Sequence, residues 1–304
     1  MSDDVSEIGR GEAASASATD SPPLAPPKRV RAYDRCPACG GWKTKKSNLC
    51  RKCHKLPLDE TAFSRVTPES AYWVGFLMAD GCVMQPPFGE PEVAVRLAVI
   101  DVAHLETLRA FLGSPKKITI QSAPTGAHFI AGKQARSGAS ALFSVSSRRL
   151  ADDLTAFGLL PRKSKREHVI GLESNRDFWR GMVDGDGTVR VGATGNNGLV
   201  PELRLYGGLS ITTQFREWVR TLVPGCETNV KPHNGIWRFQ INARQAYRVI
   251  TELYSGATVA LPRKMATAQA IIDRGVPMGG WGRFKGTVRR PPKTVPESTE
   301  SRTA

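Results

Sequence analysis

The stretch AYWVGFLMADGCV, residues 71–83, returns 106 positions later as DFWRGMVDGDGTV, residues 177–189. Each copy reads as a helix that stops at a glycine and runs straight into an extended segment. Thr67-Pro68-Glu69 opens the first, with a hydroxyl at the N-cap, proline in the first turn and an acid beside it. Ser174 with Asp177 three residues on predicts a capping-box start for the second. Gly81 and Gly187 end the helices, where a left-handed cap is expected. Gly75 and Ala79, like Gly181 and Gly185, stand four apart on one helical face. Small residues at that spacing let two helix backbones touch, and each copy offers the other the same surface. A helix pair related by a pseudo-twofold axis is the simplest packing.

Outward from these helices the two copies keep the same order. GLLPRKS at 158–164 is echoed by VALPRKM at 259–265. Extended stretches (VAVRLAVI from 93, LRLYGGLSI from 203) precede helical ones (DVAHLETLRAFLG, TQFREWVRTLVPG). A second extended pair ends in LFSVS at 142–146 or WRFQIN at 237–242, and a further helix follows. The Gly- and Pro-rich patches 85–91, 124–126 and 192–201 read as turns. The expected repeats are residues 66–165 and 174–275, and a period near 100 excludes a solenoid. Phe215, Trp218 and Leu222 have helical spacing and are expected in the core.

The charge is unevenly placed. The 304 residues carry 43 Lys and Arg against 28 Asp and Glu, a formal charge of +15. Such a balance points to a polyanionic partner and says nothing of fold. Residues 28–55 hold ten of the bases and one acid. Residues 1–30, rich in Ser, Ala, Pro and acid, read as a disordered leader, and 276–304 as a disordered basic tail. No apolar run is long enough for a membrane helix, and no secretory signal is evident, so a cytoplasmic, nucleoid-associated protein is expected.

Four of the six cysteines form two knuckles, Cys36-x2-Cys39 and Cys50-x2-Cys53, within residues 31–58. Four thiolates in paired CxxC turns match a closed, tetrahedral structural zinc site, with His54 as the rival fourth ligand to Cys53. Lys43, Lys45, Lys46, Arg51 and Lys52 decorate this module and are expected to grip phosphates. Cys82 and Cys226 are expected to be ordinary buried thiols.

Asp80 and Asp186 each precede the terminal glycine. A carboxylate at a helix C-terminus adds to a charge of roughly −0.5 already there. If the helices pair, the two carboxylates also converge, and like charges resist ionisation. A divalent cation relieves both problems, and hard oxygen ligands suit Mg²⁺. The alternative, that each Asp merely caps a turn, stands equal on geometry alone.

WVGFLMADG (73–81) and WRGMVDGDG (179–187) resemble the two signature motifs of LAGLIDADG homing endonucleases, and the PRK segments resemble the basic stretch that follows each repeat in that family. The resemblance implies an α+β fold of two pseudo-twofold-related αββαββα repeats, here preceded by the zinc module. It implies Mg²⁺- or Mn²⁺-dependent cleavage of both strands of a long DNA site by a monomer. The metal-binding acids carry over to Asp80 and Asp186, with Gly81 and Gly187 beside them. Asp184 faces Met78 in the other copy and is not expected to be an essential ligand. Lys163 and Lys264 match a basic residue that polarises the scissile phosphate or its water network; a solvated or phosphate-contacting lysine is the equal alternative. Thr212, Thr213 and Asp101 lie near where other polar active-site groups occur, without an assigned role. Arg96, Arg204 and Arg238 are candidate base or phosphate readers, and the unequal strands predict an asymmetric target. His104, His128, His168 and His233 follow no ligand spacing. Two other functions fit the same fold: a DNA-binding regulator without cleavage, and an intron RNA maturase.

Overall fold

A computed structural model describes residues 33–35, 40, 42–45, 57–87, 89–123, 128–130, 133–135, 138–161, 166–193 and 199–275. The four knuckle cysteines, His54, Lys46, Arg51, Lys52, Lys163, the leader and the tail lie outside the described residues. The chain divides into two units, Met1–Lys55 and Leu56–Ala304. In the first, β1 (Tyr33–Arg35) pairs antiparallel with β2 (Trp42–Thr44), setting Arg35 opposite Trp42. The Arg35 guanidinium lies 4.0 Å over the Trp42 ring, and its Nη1 donates to the Gly40 carbonyl.

The second unit opens with α1 (Pro68–Asp80), which passes directly into β3 (Gly81–Met84) and, after the predicted turn, β4 (Glu92–Ala98). A 3-10 turn at Val99–Asp101 leads to α2 (Val102–Phe111). Then come β5 (Thr119–Gln121), the hairpin β6 (His128–Ile130) and β7 (Lys133–Ala135), β8 (Ser140–Ser146) and α3 (Arg148–Ala156). The second repeat is α4 (Arg176–Asp186), β9 (Gly187–Ala193), β10 (Leu199–Gly207), α5 (Leu209–Leu222), β11 (Lys231–His233), β12 (Ile236–Asn242) and α6 (Ala243–Tyr254). It ends in α7 (Pro262–Arg274).

Both sheets are four-stranded and antiparallel, ordered β3-β4-β8-β5 and β9-β10-β12-β11, so equivalent strands hold equivalent places. Registers agree as well: Gly81 faces Val95 and Val95 faces Phe143, as Gly187 faces Leu205 and Leu205 faces Phe239. This is the expected α+β fold of two αββαββα repeats. The copies differ where β5 meets β8. The first repeat inserts the hairpin there, whereas the second turns on Asn234-Gly235, both at positive φ, a pair suited to a two-residue hairpin turn.

α1 is apolar around its whole circumference and is buried from Ser70 to Met78. α4 is buried from Asp177 to Asp184. Trp73 and Trp179 sit at matching places, each fully buried against the aromatic rings of its own repeat: His104 and Phe111 for one, Phe215 and Trp218 for the other. Full burial of an apolar side chain of this size contributes roughly 1.5–3 kcal/mol. As expected, Phe215 and Trp218 are core and Leu222 packs against it.

Several local expectations are corrected. Gly81 and Gly187 are extended, with φ of −86° and −101°, not left-handed. They are glycines because the chain doubles back: a Cβ would lie 2.8 Å from the Leu77 carbonyl oxygen at one and 2.5 Å from that of Val183 at the other. The N-cap of α4 is Asn175, whose side chain accepts from the Asp177 and Phe178 amides, so the start falls one residue past Ser174. Leu209–Ile211, read as extended, open α5. Part of the 192–201 patch is strand, since β9 runs to Ala193 and β10 starts at Leu199. Cys226 is buried but Cys82 is exposed, because it takes the outward position on β3. Among the described residues no helix is long and apolar enough to cross a membrane.

Candidate active site at the ends of the paired helices

α1 and α4 touch backbone to backbone. A Cβ on Gly75 would overlap the Phe178 carbonyl, and one on Gly181 would overlap the Tyr72 carbonyl, so the contact is reciprocal. One turn further on, Gly185 meets Ala79 in the same way, and its Cβ position lies 3.4 Å from Asp80 Oδ2. The Asp80 carboxylate is thereby set against the residue that precedes Asp186. Asp80 is exposed and Asp186 half-buried, both at the mouth of the helix pair.

Lys264 is neither a solvated lysine nor a surface phosphate contact. It is buried, and its Nζ donates to the carbonyls of Val183, Asp184 and Gly187 at 2.7, 2.6 and 2.7 Å. Pro262 starts α7 so that Lys264, in the first turn, reaches the C-terminal end of α4. A cation there offsets the negative end of the helix. Burial pulls the ammonium down to about 8, against the opposing pull of Asp184, Asp80 and Asp186. All three carboxylates therefore lie within electrostatic reach of one ammonium.

Asp184 points the other way, into the interior. Its Oδ2 accepts from Tyr72 Oη at 2.8 Å and the Leu261 amide at 2.6 Å, and its Oδ1 accepts from Tyr254 Oη at 2.7 Å. Burial raises its pKa against the pull of those three donors and of Lys264. Tyr72 Oη also lies 2.8 Å from His104 Nε2. Beside this network Arg180 is fully buried. It donates to Asp177 Oδ1 and to the Leu253 and Val259 carbonyls, and its guanidinium faces the Tyr72 ring. Tyr254 and His104 carried no sequence signal, and Tyr72 stood in the repeat as the counterpart of Phe178, with nothing to mark its hydroxyl as a partner of Asp184.

The remaining candidates are dispersed. Arg263 Nε bonds both oxygens of Asp101, at 3.1 and 3.2 Å, tying α7 to the start of α2. Thr212 is buried and donates to the Gly208 carbonyl at the start of α5. Thr213 lines a surface cavity of about 280 Å³ with Glu173, Glu217 and Trp218. Arg96 and Arg204 stand on the outward faces of their sheets, with Gln121 and Ser140 around one and Glu202 and Tyr206 around the other. Arg238 stands opposite Tyr206 on the same face as Arg204. Glu202 was missed, although the repeated Pro-Glu at 91–92 and 201–202 marked it. Its carboxylate binds Arg190, Arg204 and Gln240. Burial would raise its pKa, but the arginine hydrogen bonds outweigh that and hold it below the usual range. Among the described residues no three of His, Cys, Asp and Glu gather into a metal-binding group.

No protein-family model and no curated protein matches the chain. Among solved structures it is similar to the LAGLIDADG meganuclease I-AabMI bound to uncleaved DNA, at TM-score 0.45 and 11% identity over 69% of this chain and 90% of that one. It is also similar to the LAGLIDADG homing endonuclease I-GzeII in complex with its DNA target, at TM-score 0.44 and 12% identity over 69% and 92%.

Proposed function

We propose that the chain is a site-specific double-strand DNA endonuclease that hydrolyses phosphodiester bonds with a divalent metal, acting as a monomer on a long asymmetric duplex. The observation that carries this reading is the convergence of Asp80 and Asp186 at the ends of two helices whose backbones touch. Lys264 offsets part of the charge that two carboxylates add at the helix C-termini, and a divalent cation would offset more of it. The donors fit a hard ion, since both are carboxylate oxygens, and Gly185 lets α4 close on Ala79 so that Asp80 lies against the residue before Asp186. Asp80 and Asp186, with the Gly81 and Gly187 carbonyls beside them, would hold Mg²⁺ or Mn²⁺. The bound ion would supply Lewis-acid stabilisation of the attacked phosphate.

The chain's own residues do the rest. Gly75 and Gly181 bring the carboxylates together. Lys264 fixes the end of α4, and so Asp186, while its charge offsets the carboxylates; it acts as a positioning residue, its protons being spent on carbonyls. The Gly187 carbonyl already accepts one of those protons, so in the second repeat the Asp186 carboxylate would be the main group to hold the ion. Lys163 would serve the first repeat. The outward sheet faces and the net positive charge would hold the duplex. Cys36, Cys39, Cys50 and Cys53 would hold a structural zinc, with Lys43, Lys45, Lys46 and Arg51 against phosphates.

A nicking and linearisation assay in Mg²⁺, beside a binding measurement in Ca²⁺, tests the reading. Asp80→Asn and Asp186→Asn should each lower cleavage by about three orders of magnitude while binding survives. If the wild type binds a selected duplex but cuts it in neither Mg²⁺ nor Mn²⁺, the protein is a regulator. Selective binding to folded intron RNA in place of duplex would make it a maturase.

A further inference from the structure

The two sheets share topology and register, so each outward position in one has a counterpart in the other, and the side chains there can be compared pair by pair. On the first strand, Cys82 and Met84 of β3 correspond to Thr188 and Arg190 of β9. On the second, Ala94 of β4 corresponds to Arg204 of β10. On the third, Leu142 of β8 corresponds to Arg238 of β12. At the edge, Thr119 of β5 corresponds to Lys231 of β11. At five matching places, small or apolar groups in one sheet face three arginines, a lysine and a threonine in the other. Arg96 runs against the trend, as its counterpart is Tyr206.

The one charged position kept in both sheets sharpens the contrast. Glu92 and Glu202 are counterparts. Glu202 is clamped, with Arg190 Nε at 2.6 Å, Arg204 Nη2 at 2.9 Å and Gln240 Nε2 at 3.2 Å. These donors and their acceptor are ordered before any partner arrives, which lowers the entropic cost of recognition. Around Glu92 the same places hold Met84, Ala94 and Ser144, and among the described residues Lys116 is the cation that approaches, at 3.9 Å. Met84 is 45% exposed on that face.

We infer that the two halves of the target are read by different chemistries: the second repeat reads guanines with its outward arginines, two of them held by the buried Glu202, and the first reads thymine methyl groups with Met84 and Leu142. The inference rests on duplex DNA being the partner. Arginine matches the paired acceptors of guanine in the major groove, while Glu202, already accepting from three side chains, orders Arg190 and Arg204. An apolar side chain has one distinctive target there, the C5-methyl of thymine. Burying one methyl is worth about 0.8 kcal/mol, close to a fourfold change in affinity.

The test selects duplexes from a random pool with the full chain in Ca²⁺, then replaces thymine by uracil, which removes only the methyl. Arg238→Ala, and separately Arg204→Ala, should abolish guanine preference at one or two positions of one half-site and so identify it. Uracil in the opposite half should weaken binding about fourfold per contacted base, and uracil in the arginine half should change nothing. Since Arg204 also braces Glu202, Arg238→Ala serves where Arg204→Ala fails to fold. Equal guanine preference in both halves, or indifference to uracil throughout, overturns the inference and leaves the endonuclease reading standing. Failure to enrich any duplex overturns both.

Discussion

Asp184 and Asp186 lie two positions apart and face opposite environments. Asp186 opens toward the mouth of the helix pair, whereas Asp184 is 1% exposed and takes hydrogen bonds from both repeats. Tyr72 spends its only hydroxyl proton on Asp184, so His104 Nε2 must donate to Tyr72 Oη, which fixes the tautomer. Burial, followed by the nearby charge of Arg263, lowers His104 from 6.5 to about 4. Tyr72, Trp73 and Phe76 of α1 press on the ring, and none offers a compensating negative charge. The unfolded chain then binds a proton near pH 6.5 and the folded chain only near pH 4. Stability is therefore lost as pH falls through that window, by about 3 kcal/mol in all. In urea titrations the advantage of the wild type over His104→Gln should be largest at pH 7 and shrink by pH 4. A constant difference would show that His104 does not titrate in this window.

At the scale of elements, the α1–α4 contact is the joint on which both repeats turn. It depends on an absence of side chain at two reciprocal places. Gly75→Ala would drive a methyl into the Phe178 carbonyl, which belongs to a rigid helix and cannot rotate away. The expected loss is about 3 kcal/mol, at the upper end for overpacking. Gly225→Ala is the matched control: its φ of +80° is strained for alanine, but nothing lies within 4 Å, so a cost of about 1 kcal/mol is expected. Differential scanning calorimetry of the two variants separates the cases, and equal shifts would refute the close contact. α7 acts on the same joint from outside. The repeated PRK announced a basic residue, but its burial against the last carbonyls of α4 needed a helix docked on that end.

For the whole molecule, symmetry of fold coexists with asymmetry of charge. Ten bases fall in residues 28–55, and Arg190, Arg204, Lys231 and Arg238 share the outward face of one sheet. A segment that short buries too little apolar surface to fold unaided, so the zinc proposed for Cys36, Cys39, Cys50 and Cys53 would be its staple. Elemental analysis should find one zinc per chain, lost when Cys36 and Cys50 become Ser. Deleting residues 28–55 should weaken DNA binding and flatten the slope of log K against log salt, because the cations that displace counterions leave with the module. An unchanged slope would place the module away from phosphates.

Much of this was legible from residue spacing. The 106-residue offset, the glycines four apart and the aspartates before Gly81 and Gly187 determined the repeats, the helix pair and the site where the carboxylates meet. Period and spacing are local properties, and they decide which face of an element is apolar and which small residues line it. The tertiary structure alone decided that Asp184 is an internal anchor, that Lys264 is buried and that Cys82 faces outward. Each depends on groups 70 or more positions apart, or on which sheet face is covered. A polar side chain's role follows from the partners burial gives it, and those come from tertiary packing, within the second repeat for Lys264 and Tyr254 and between the repeats for Tyr72.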